Sequence, residues 1–337
     1  MTDTERDIRL SLIVPVYNRP DEVEELLASL KAQTDNDFEL VIVEDGSTVK
    51  CEEQVEKYKN DLTINYFYKP NSGPGASRNY GFERAKGNYF IVLDSDCILP
   101  PHYVASVRKN LKEHYLDTFG GPDSAHKSFS DVQKAINYAM TSLFTTGGIR
   151  GRKKQADVFQ PRSFNMGISK EVIETVGGFS RIHPGEDPDL SYRIMDAGFR
   201  TGLYADSYVF HKRRIDFGKF IKQVYKFGVV RVILFKWYPS RVKLTYFFPT
   251  VFLLGSLLLL LLSFWFPSFL LFLGAYALLL FIDALIQTKH LKIALMAVLA
   301  SFIQLYAYGW GFLKSFVKLK ILGMDEHKAF PDFFFKE

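Results

Sequence analysis

Two hydrophobic rhythms divide the chain. Up to about residue 210, short apolar runs alternate with segments whose apolar positions recur at helical spacing; beyond about residue 245 the sequence is almost continuously apolar. In the first part, LSLIVPV at residues 10–16 reads as a buried strand, and Pro20 suits the first turn of a helix that Val23, Leu26, Leu27 and Leu30 give its face. FELVIVEDGS (38–47) predicts a second strand ending in acids and a glycine, and INYFY (64–68) a third. NSGPGASRNYGFERAKG (71–87) reads as a glycine-rich loop leading into a helix, and YFIVL (89–93) as a fourth strand. Strands alternating with helices imply an α/β fold with a mostly parallel sheet covered on both faces. Ligands of such sheets sit at the carboxyl ends of the strands. The polar residues gather there: Tyr17 and Asn18, Glu44 and Asp45, Asp94 and Asp96.

The second part holds three apolar stretches: Tyr246–Phe266, then Phe269–Ile286 interrupted by Asp283, then Leu291–Phe312 with Lys292 and Gln304. A bilayer-spanning helix needs roughly 20 apolar residues, and LLGSLLLLLLSFWF has no polar face to show water. Just before them, residues 212–243 carry ten Lys and Arg against the single acid Asp216. The positive-inside rule then places that segment, and everything before it, in the cytoplasm. A third complete crossing would export Lys314, Lys318 and Lys320, against the same rule; a re-entrant third segment, or dominance of the first basic loop, resolves this equally well. Within 217–228, Phe217, Phe220, Ile221, Val224 and Tyr225 fall at helical spacing among Lys219, Lys222 and Lys226. That pattern suits a helix lying on an anionic membrane surface, or a helix packed in a core with a solvated basic face.

Composition adds exclusions. A net charge of +5 over 337 residues gives no indication of nucleic acid binding. Two cysteines, Cys51 and Cys97, exclude a disulfide framework and a cysteine zinc site, and fit a reducing compartment. The start, MTDTERDIRL, lacks an apolar core, so no cleaved signal peptide is expected.

The chemistry concentrates in Asp94-Ser95-Asp96, directly after the most hydrophobic strand. Two carboxylates so close repel each other unless a cation lies between them and their ligand. Oxygen donors suit Mg²⁺ or Mn²⁺, which also take phosphate oxygens. A helix cap beside a solvated acid is the plainer alternative.

Taken in order, SLIVPVYNRP, VEDGS, GPGASRN, LDSDC and GEDPDLSYR resemble a family 2 glycosyltransferase over about residues 8–215. The resemblance implies the GT-A fold, a nucleotide-sugar donor with a UDP-sugar foremost, a divalent metal, and inversion at the anomeric carbon. It implies that Pro15, Val16, Tyr17 and Asn18 line a nucleoside pocket, and that Asp45, with Glu44 beside it, binds base or ribose. Arg78 would face the base or the diphosphate, Asp94 the ribose or donor sugar, and Asn165, with Gly167, the donor sugar. Asp96 and His211 would ligate the metal, and Asp123 would stand near the acceptor cleft. One member of the Glu186–Asp187 pair would be the general base, with Asp187 favoured and Glu186 its alternative or partner; Asp187 or Asp189 as a mere helix cap is the competing reading. Arg193 is expected to pair with a nearby carboxylate.

Processive members of the family carry Gln-x-x-Arg-Trp in an interfacial helix; here QVYKFG (223–228) lacks both the Arg and the Trp, which argues for transfer of one sugar. The expected organisation is a catalytic domain at 1–211, a basic interfacial segment at 212–243, two or three membrane helices in 244–313 and a tail at 314–337. The expected acceptor is a hydroxyl on a lipid-linked or glycolipid substrate, met at the cytoplasmic face of a bacterial inner membrane. Polyprenyl phosphate as acceptor, or a membrane scaffold that binds a sugar nucleotide without turnover, are the alternatives.

Overall fold

The computed structural model describes residues 7–124, 129–146, 159–211 and 216–335; Ser124 and His211 are described by their backbones alone. Two compact units result. The first comprises Met1–His126, Gln155–His211 and Asp332–Glu337, the second Lys127–Lys154 and Lys212–Pro331. Lys212, Arg213 and Arg214 of the basic segment lie outside the described residues.

The first unit opens with β1 (Leu10–Val16), α1 (Pro20–Lys31), β2 (Phe38–Asp45), α2 (Glu52–Tyr58), β3 (Ile64–Lys69), α3 (Pro74–Arg84) and β4 (Tyr89–Leu93). All of these except α2 are elements that the periodicities predict. β5 (Cys97–Ile98), α4 (Tyr103–Glu113), β6 (Thr118–Gly120) and β7 (Asp123–Ser124) follow. The chain then supplies α5 (Asp131–Thr141) and α6 (Leu143–Thr146) to the second unit. It returns with β8 (Asn165–Ser169), α7 (Lys170–Val176), α8 (Glu186–Asp196), β9 (Thr201–Leu203) and β10 (Val209–His211).

Seven strands form one sheet in the order β3-β2-β1-β4-β8-β6-β9. β8 runs antiparallel to both β4 and β6, whereas the other pairs are parallel. The period-two pleat sends alternate residues to opposite faces. Leu12, Val14, Leu40, Ile42 and Ile91 pack with Val23, Leu26, Leu27 and Leu30 of α1 and with Val104 and Val107 of α4. Ile13, Val41, Val43, Phe90 and Val92 pack on the other face with Phe82 of α3, Val172 of α7, and Leu190 and Ile194 of α8. Both faces are therefore covered, which is why β1 and β4 read as nearly continuous apolar runs.

Strand order fixes where a ligand goes. From β1 the chain winds outward to β2 and β3, then crosses back over β1 to place β4 on its far side. This reversal opens a crevice beyond the carboxyl ends of β1 and β4. A small second sheet, β5-β10-β7, continues from the end of β4, with His211 in register with Cys97.

The first unit is completed from far along the chain. Phe334 forms an antiparallel bridge with Ile182. The His183 amide donates to the Phe333 carbonyl at 2.8 Å, and the Phe335 amide to the Arg181 carbonyl at 3.1 Å.

The second unit gathers α5 and α6 with α9 (Phe217–Trp237), α10 (Phe248–Leu262), α11 (Leu270–Thr288) and α12 (Leu291–Phe316). Three helical stretches, Leu244–Leu262, Pro267–Thr288 and Leu291–Ile321, are long and apolar enough to cross a membrane. In α9, capped by Asp216 accepting from the Lys219 amide at 2.7 Å, Phe220 and Val224 are buried with Ile136, Ala139 and Met140 of α5 and Ala300 of α12. Ile221 stays exposed. Of the two readings of 217–228, most of the apolar face is thus spent on protein. Gly228 of α9 sits where any Cβ would strike the Tyr308 carbonyl of α12, so the two helices approach backbone to backbone. Asp283, the acid inside the second apolar stretch, accepts from Tyr138 Oη at 2.6 Å and Gln287 Nε2 at 2.9 Å. A carboxylate in apolar surroundings needs such donors.

Candidate active site

At the end of β2, Asp45 accepts from the amides of Ser72 and Gly73, each at 2.9 Å, and pairs with Lys69. Gly73 caps α3 at φ +90°, a conformation that glycine adopts without steric cost. Asp45 thereby places a negative charge at the positive end of α3. One turn further along α3, Arg78 is buried and forks between two acids. Its Nη2 donates to Asp94 Oδ1 at 2.8 Å and its Nη1 to Glu186 Oε1 at 3.4 Å. Its guanidinium also lies 5.1 Å from the centre of the Phe179 ring. Burial works against its charge, but Asp94, Asp187 and Glu186 outweigh it and raise its pKa.

The turn after β4 carries the other carboxylate. Asp96 is buried, and Arg19, at the end of the β1 loop, donates to its Oδ2 at 2.5 Å. Again burial opposes the charge of Arg19, and Asp96 more than restores it. Both acids of Asp94-Ser95-Asp96 thus meet an arginine in this structure.

α8 brings the second acidic pair. Its N-cap is Gly185, and no side chain caps it. Asp187 is therefore not a cap, and neither is Asp189, which pairs with Arg193 at 2.8 Å. Arg193 also donates to the carbonyls of Val176 and Gly178, the structural role expected of it. Glu186 is nearly enclosed, held by Arg78 and by His183 Nδ1 at 2.9 Å. Burial pulls the Glu186 carboxyl upward, but His183 and then Arg78 hold it below its ordinary value. Asp187 differs. Its Oδ2 accepts from the Ser163 amide at 3.2 Å, while its buried Oδ1 has no hydrogen-bond partner among the described residues. Burial first, then the neighbouring Glu186, push its carboxyl up to about 6. One acid of the pair is pinned as an anion, and the other is poised to exchange a proton near neutrality.

The structure thus brings together Arg78, Asp94, Glu186 and Asp187, with Asp96 two residues from Asp94. Other expected residues stand apart by their bonds. Glu44 is fully buried, accepting from the Cys51 amide at 2.9 Å and from Tyr66 Oη at 2.9 Å. Asn165 lies in register with Leu93, but its side chain accepts from Tyr103 Oη at 2.6 Å and donates to the Ser207 carbonyl at 2.9 Å. Asn18, at φ +54°, accepts from the Thr48 and Val49 amides at 2.9 Å and so braces the loop after β2. Tyr17 is exposed, whereas Val16 is buried beside a partly buried Pro15 at the end of β1. Gly167 is a core glycine whose Cβ would collide with the Phe119 ring. Asp123 opens β7 beside Val209.

Three contributors were not singled out from sequence. Arg19 lies inside the VYNRP motif already noted, and His183 lies two residues before the GEDPDLSYR motif. The Ser163 amide carries no signal in sequence at all.

Among the described residues, no three His, Cys, Asp or Glu side chains stand together as a cation cage. The turn offers two carboxylates, and the register of β10 sets the His211 backbone opposite Cys97, next to Asp96. Two carboxylates, with the remaining positions left to phosphate oxygens and water, match what Mg²⁺ and Mn²⁺ accept.

Comparison with known proteins agrees with this geometry. The Glycosyl transferase family 2 profile matches residues 11–177, from β1 to the end of α7. An uncharacterized glycosyltransferase of Rickettsia conorii is 34% identical over 139 residues, 41% of this chain and 22% of that protein. The poly(ribitol-phosphate) beta-N-acetylglucosaminyltransferase TarS of Staphylococcus aureus is 33% identical over 114 residues, 33% of this chain and 20% of that protein. The matched region is thus about a fifth of the length of either relative. The mannosyltransferase PcManGT of Pyrobaculum calidifontis, solved with GDP-Man and Mn²⁺, has the same fold, with a TM-score of 0.63 at 17% identity over 88% of each chain. By its matched domain, residues 11–177, this chain belongs to glycosyl transferase family 2.

Proposed function

We propose that the protein is a membrane-bound inverting glycosyltransferase that moves one sugar from a nucleotide-sugar donor to a hydroxyl of a lipid-linked or glycolipid acceptor. The observation that carries this reading is Asp187, whose unbonded buried oxygen and carboxyl raised to about 6 are what a general base needs. In the reaction, Asp187 takes the proton of the acceptor hydroxyl as its oxygen bonds to the anomeric carbon and the bond to the nucleoside diphosphate breaks. Glu186, fixed by His183 and Arg78, keeps a negative charge beside Asp187 and so maintains its basicity. Arg78 orients Asp94 toward the crevice. Asp94 and Asp96, with His211, would hold a divalent cation. Such a cation supplies Lewis-acid neutralisation of the departing diphosphate. Pro15, Val16, Tyr17, Asn18 and Asp45 stand at the carboxyl ends of β1 and β2, where the nucleoside belongs. Glu44 and Asn165 would serve that site through the frame rather than by contact.

The hydroxyl acceptor is favoured over polyprenyl phosphate, because a phosphate nucleophile is already anionic and needs no base. The relatives' and neighbour's names, with their N-acetylglucosaminyl and GDP-Man chemistry, fit a nucleotide-sugar donor without selecting one.

The path of the chain supports a topology. Phe333–Phe335 rejoin the catalytic unit after the three apolar helices, which supports an even number of membrane crossings between residues 211 and 332. Crossing by α10 and α11, with α12 staying at the catalytic side, satisfies this. It also keeps Lys314, Lys318 and Lys320 inside with the basic segment, as the positive-inside rule asks.

The test is a panel of radiolabelled sugar nucleotides presented with Mn²⁺ and native membranes. The expected result is one labelled lipid species, absent with Asp187→Asn. Donor binding without transfer or hydrolysis from any member of the panel would replace the enzyme by the scaffold.

A further inference from the structure

The acids of the site are carried by α8, and what precedes α8 is an extended segment held from outside its own neighbourhood. Residues 181–183 lead through Pro184 and Gly185 into Glu186 and Asp187. Their partner is the Phe333-Phe334-Phe335 segment, about 150 residues further along the chain. The pairing is a short antiparallel one: Ile182 opposite Phe334, with the His183 amide to the Phe333 carbonyl at 2.8 Å and the Phe335 amide to the Arg181 carbonyl at 3.1 Å. Phe333 and Ile182 are both buried. Phe335 packs its ring directly on the α-carbon of Gly73, where any Cβ would overlap it. The same ring lies 6.3 Å from the His183 imidazole, which in turn holds Glu186 at 2.9 Å. One segment therefore touches the residues before the acid pair, the imidazole that pins Glu186, and the glycine whose amide binds Asp45.

We propose that Phe333–Phe335 is a positioning strap: it clamps residues 181–183 and the N-terminal end of α3, and so sets the place of the Glu186–Asp187 pair. The inference rests on the reading of that pair as the acid-base machinery of transfer. The contacts of the strap are with His183, with Gly73 and with the backbone of residues 181–183, and it acts through them. The geometry favours this over simple edge-sealing. A single bridge with two hydrogen bonds adds little stability of its own, yet it ends within three residues of Glu186. The strap also ends the excursion of the chain through the apolar helices, so the membrane unit and the acid pair share a covalent tether.

The experiment compares the intact protein with a triple variant, Phe333→Gly, Phe334→Ser and Phe335→Gly, and with Phe335→Ala alone. Each is assayed for kcat, for donor affinity, and for amide exchange over residues 181–187. The triple variant is expected to lose roughly 10²-fold in kcat, the scale of a misplacement of about 1 Å, with donor affinity unchanged within about twofold. Its amides at 181–187 should exchange at least about tenfold faster, as a locally opened segment does. A peptide of residues 331–337 supplied in trans should restore both. Phe335→Ala should show the same changes in smaller measure, and Phe335→Leu should recover most of them. Unchanged kcat and exchange in the triple variant would overturn the strap, and so would loss of donor binding together with kcat that the peptide fails to rescue. If the intact protein binds donors but transfers nothing, the proposed function falls while amide exchange still decides the strap.

Discussion

The Ser163 amide donates to Asp187 Oδ2 at 3.2 Å, and the other oxygen of that carboxylate accepts nothing among the described residues. A loop amide before β8 thus aims one oxygen of the first turn of α8 and leaves its twin available. The pairing orients the proposed base without neutralising it.

From this follows a split in the kinetics of Asp187→Asn. Turnover should fall roughly 10²–10⁴-fold, the usual worth of a general base, with nucleotide affinity nearly unchanged. In the parent enzyme, kcat should decline on the acid side with a midpoint near 6, where Asp187 takes up its proton. The stability sign is opposite to that of a capping residue. The Asp187 carboxyl is raised from 3.8 to about 6 on folding, so its contribution is full below 3.8 and lost as pH rises through about 6. The neutral Asn variant should therefore melt higher than the parent above pH 6, which thermal scans at pH 5 and pH 8 would show. A lower melting temperature at both pH values would return Asp187 to a structural role.

Arg78 should prove costly to remove. Arg78→Met leaves Asp94 and Glu186 without their shared cation, one of them deeply buried. Breaking a buried pair from one side costs about 3–5 kcal/mol. Without Arg78 the Glu186 carboxyl, which Arg78 helps to hold below its ordinary value, gains affinity for protons, so the loss should be smaller at pH 5 than at pH 7.5. Urea titrations at the two pH values check this; an equal loss at both would remove the electrostatic account.

Arg19 and Asp96 make an opposed pair of predictions. Arg19 sits at 2.5 Å on Asp96, the carboxylate proposed to hold the cation. Arg19→Gln should tighten binding of Mn²⁺ alone, since no guanidinium has to be displaced, whereas Asp96→Ala should abolish it. Titration calorimetry with MnCl₂ reads both. Equal Mn²⁺ affinity in the parent and both variants would move the cation elsewhere.

Topology can be read directly. With an even number of crossings, cysteines introduced at Lys320 and Asp206 should be labelled from the same side of sealed vesicles, and one at Ser268 from the opposite side. Labelling of positions 320 and 206 from opposite sides would restore a third crossing.

Much of the fold was legible because local chemistry wrote it. The alternation of buried strands with amphipathic helices up to Leu93 needs only side-chain period and the punctuation of Pro20 and Pro74. The apolar helices follow from length and composition alone. Strand-end acids were visible for the same reason: Asp94 and Asp96 interrupt an apolar run, and nothing but function or a partner excuses them there.

What the chain alone left open is settled by contacts between distant residues. Glu186 and Asp187 are adjacent and chemically alike, yet Arg78 and His183 hold one as an anion while burial lifts the other to about 6. Glu44 and Asp45 are likewise adjacent, yet one faces Tyr66 and Cys51 and the other the start of α3. The return of Phe333–Phe335 to Ile182 has no local signal either, because a single bridge has no periodicity to read. Sequence specifies which groups exist and which local shapes they prefer. Their charges, partners and free lone pairs depend on burial and on neighbours across the fold, and those exist only once the chain has closed on itself.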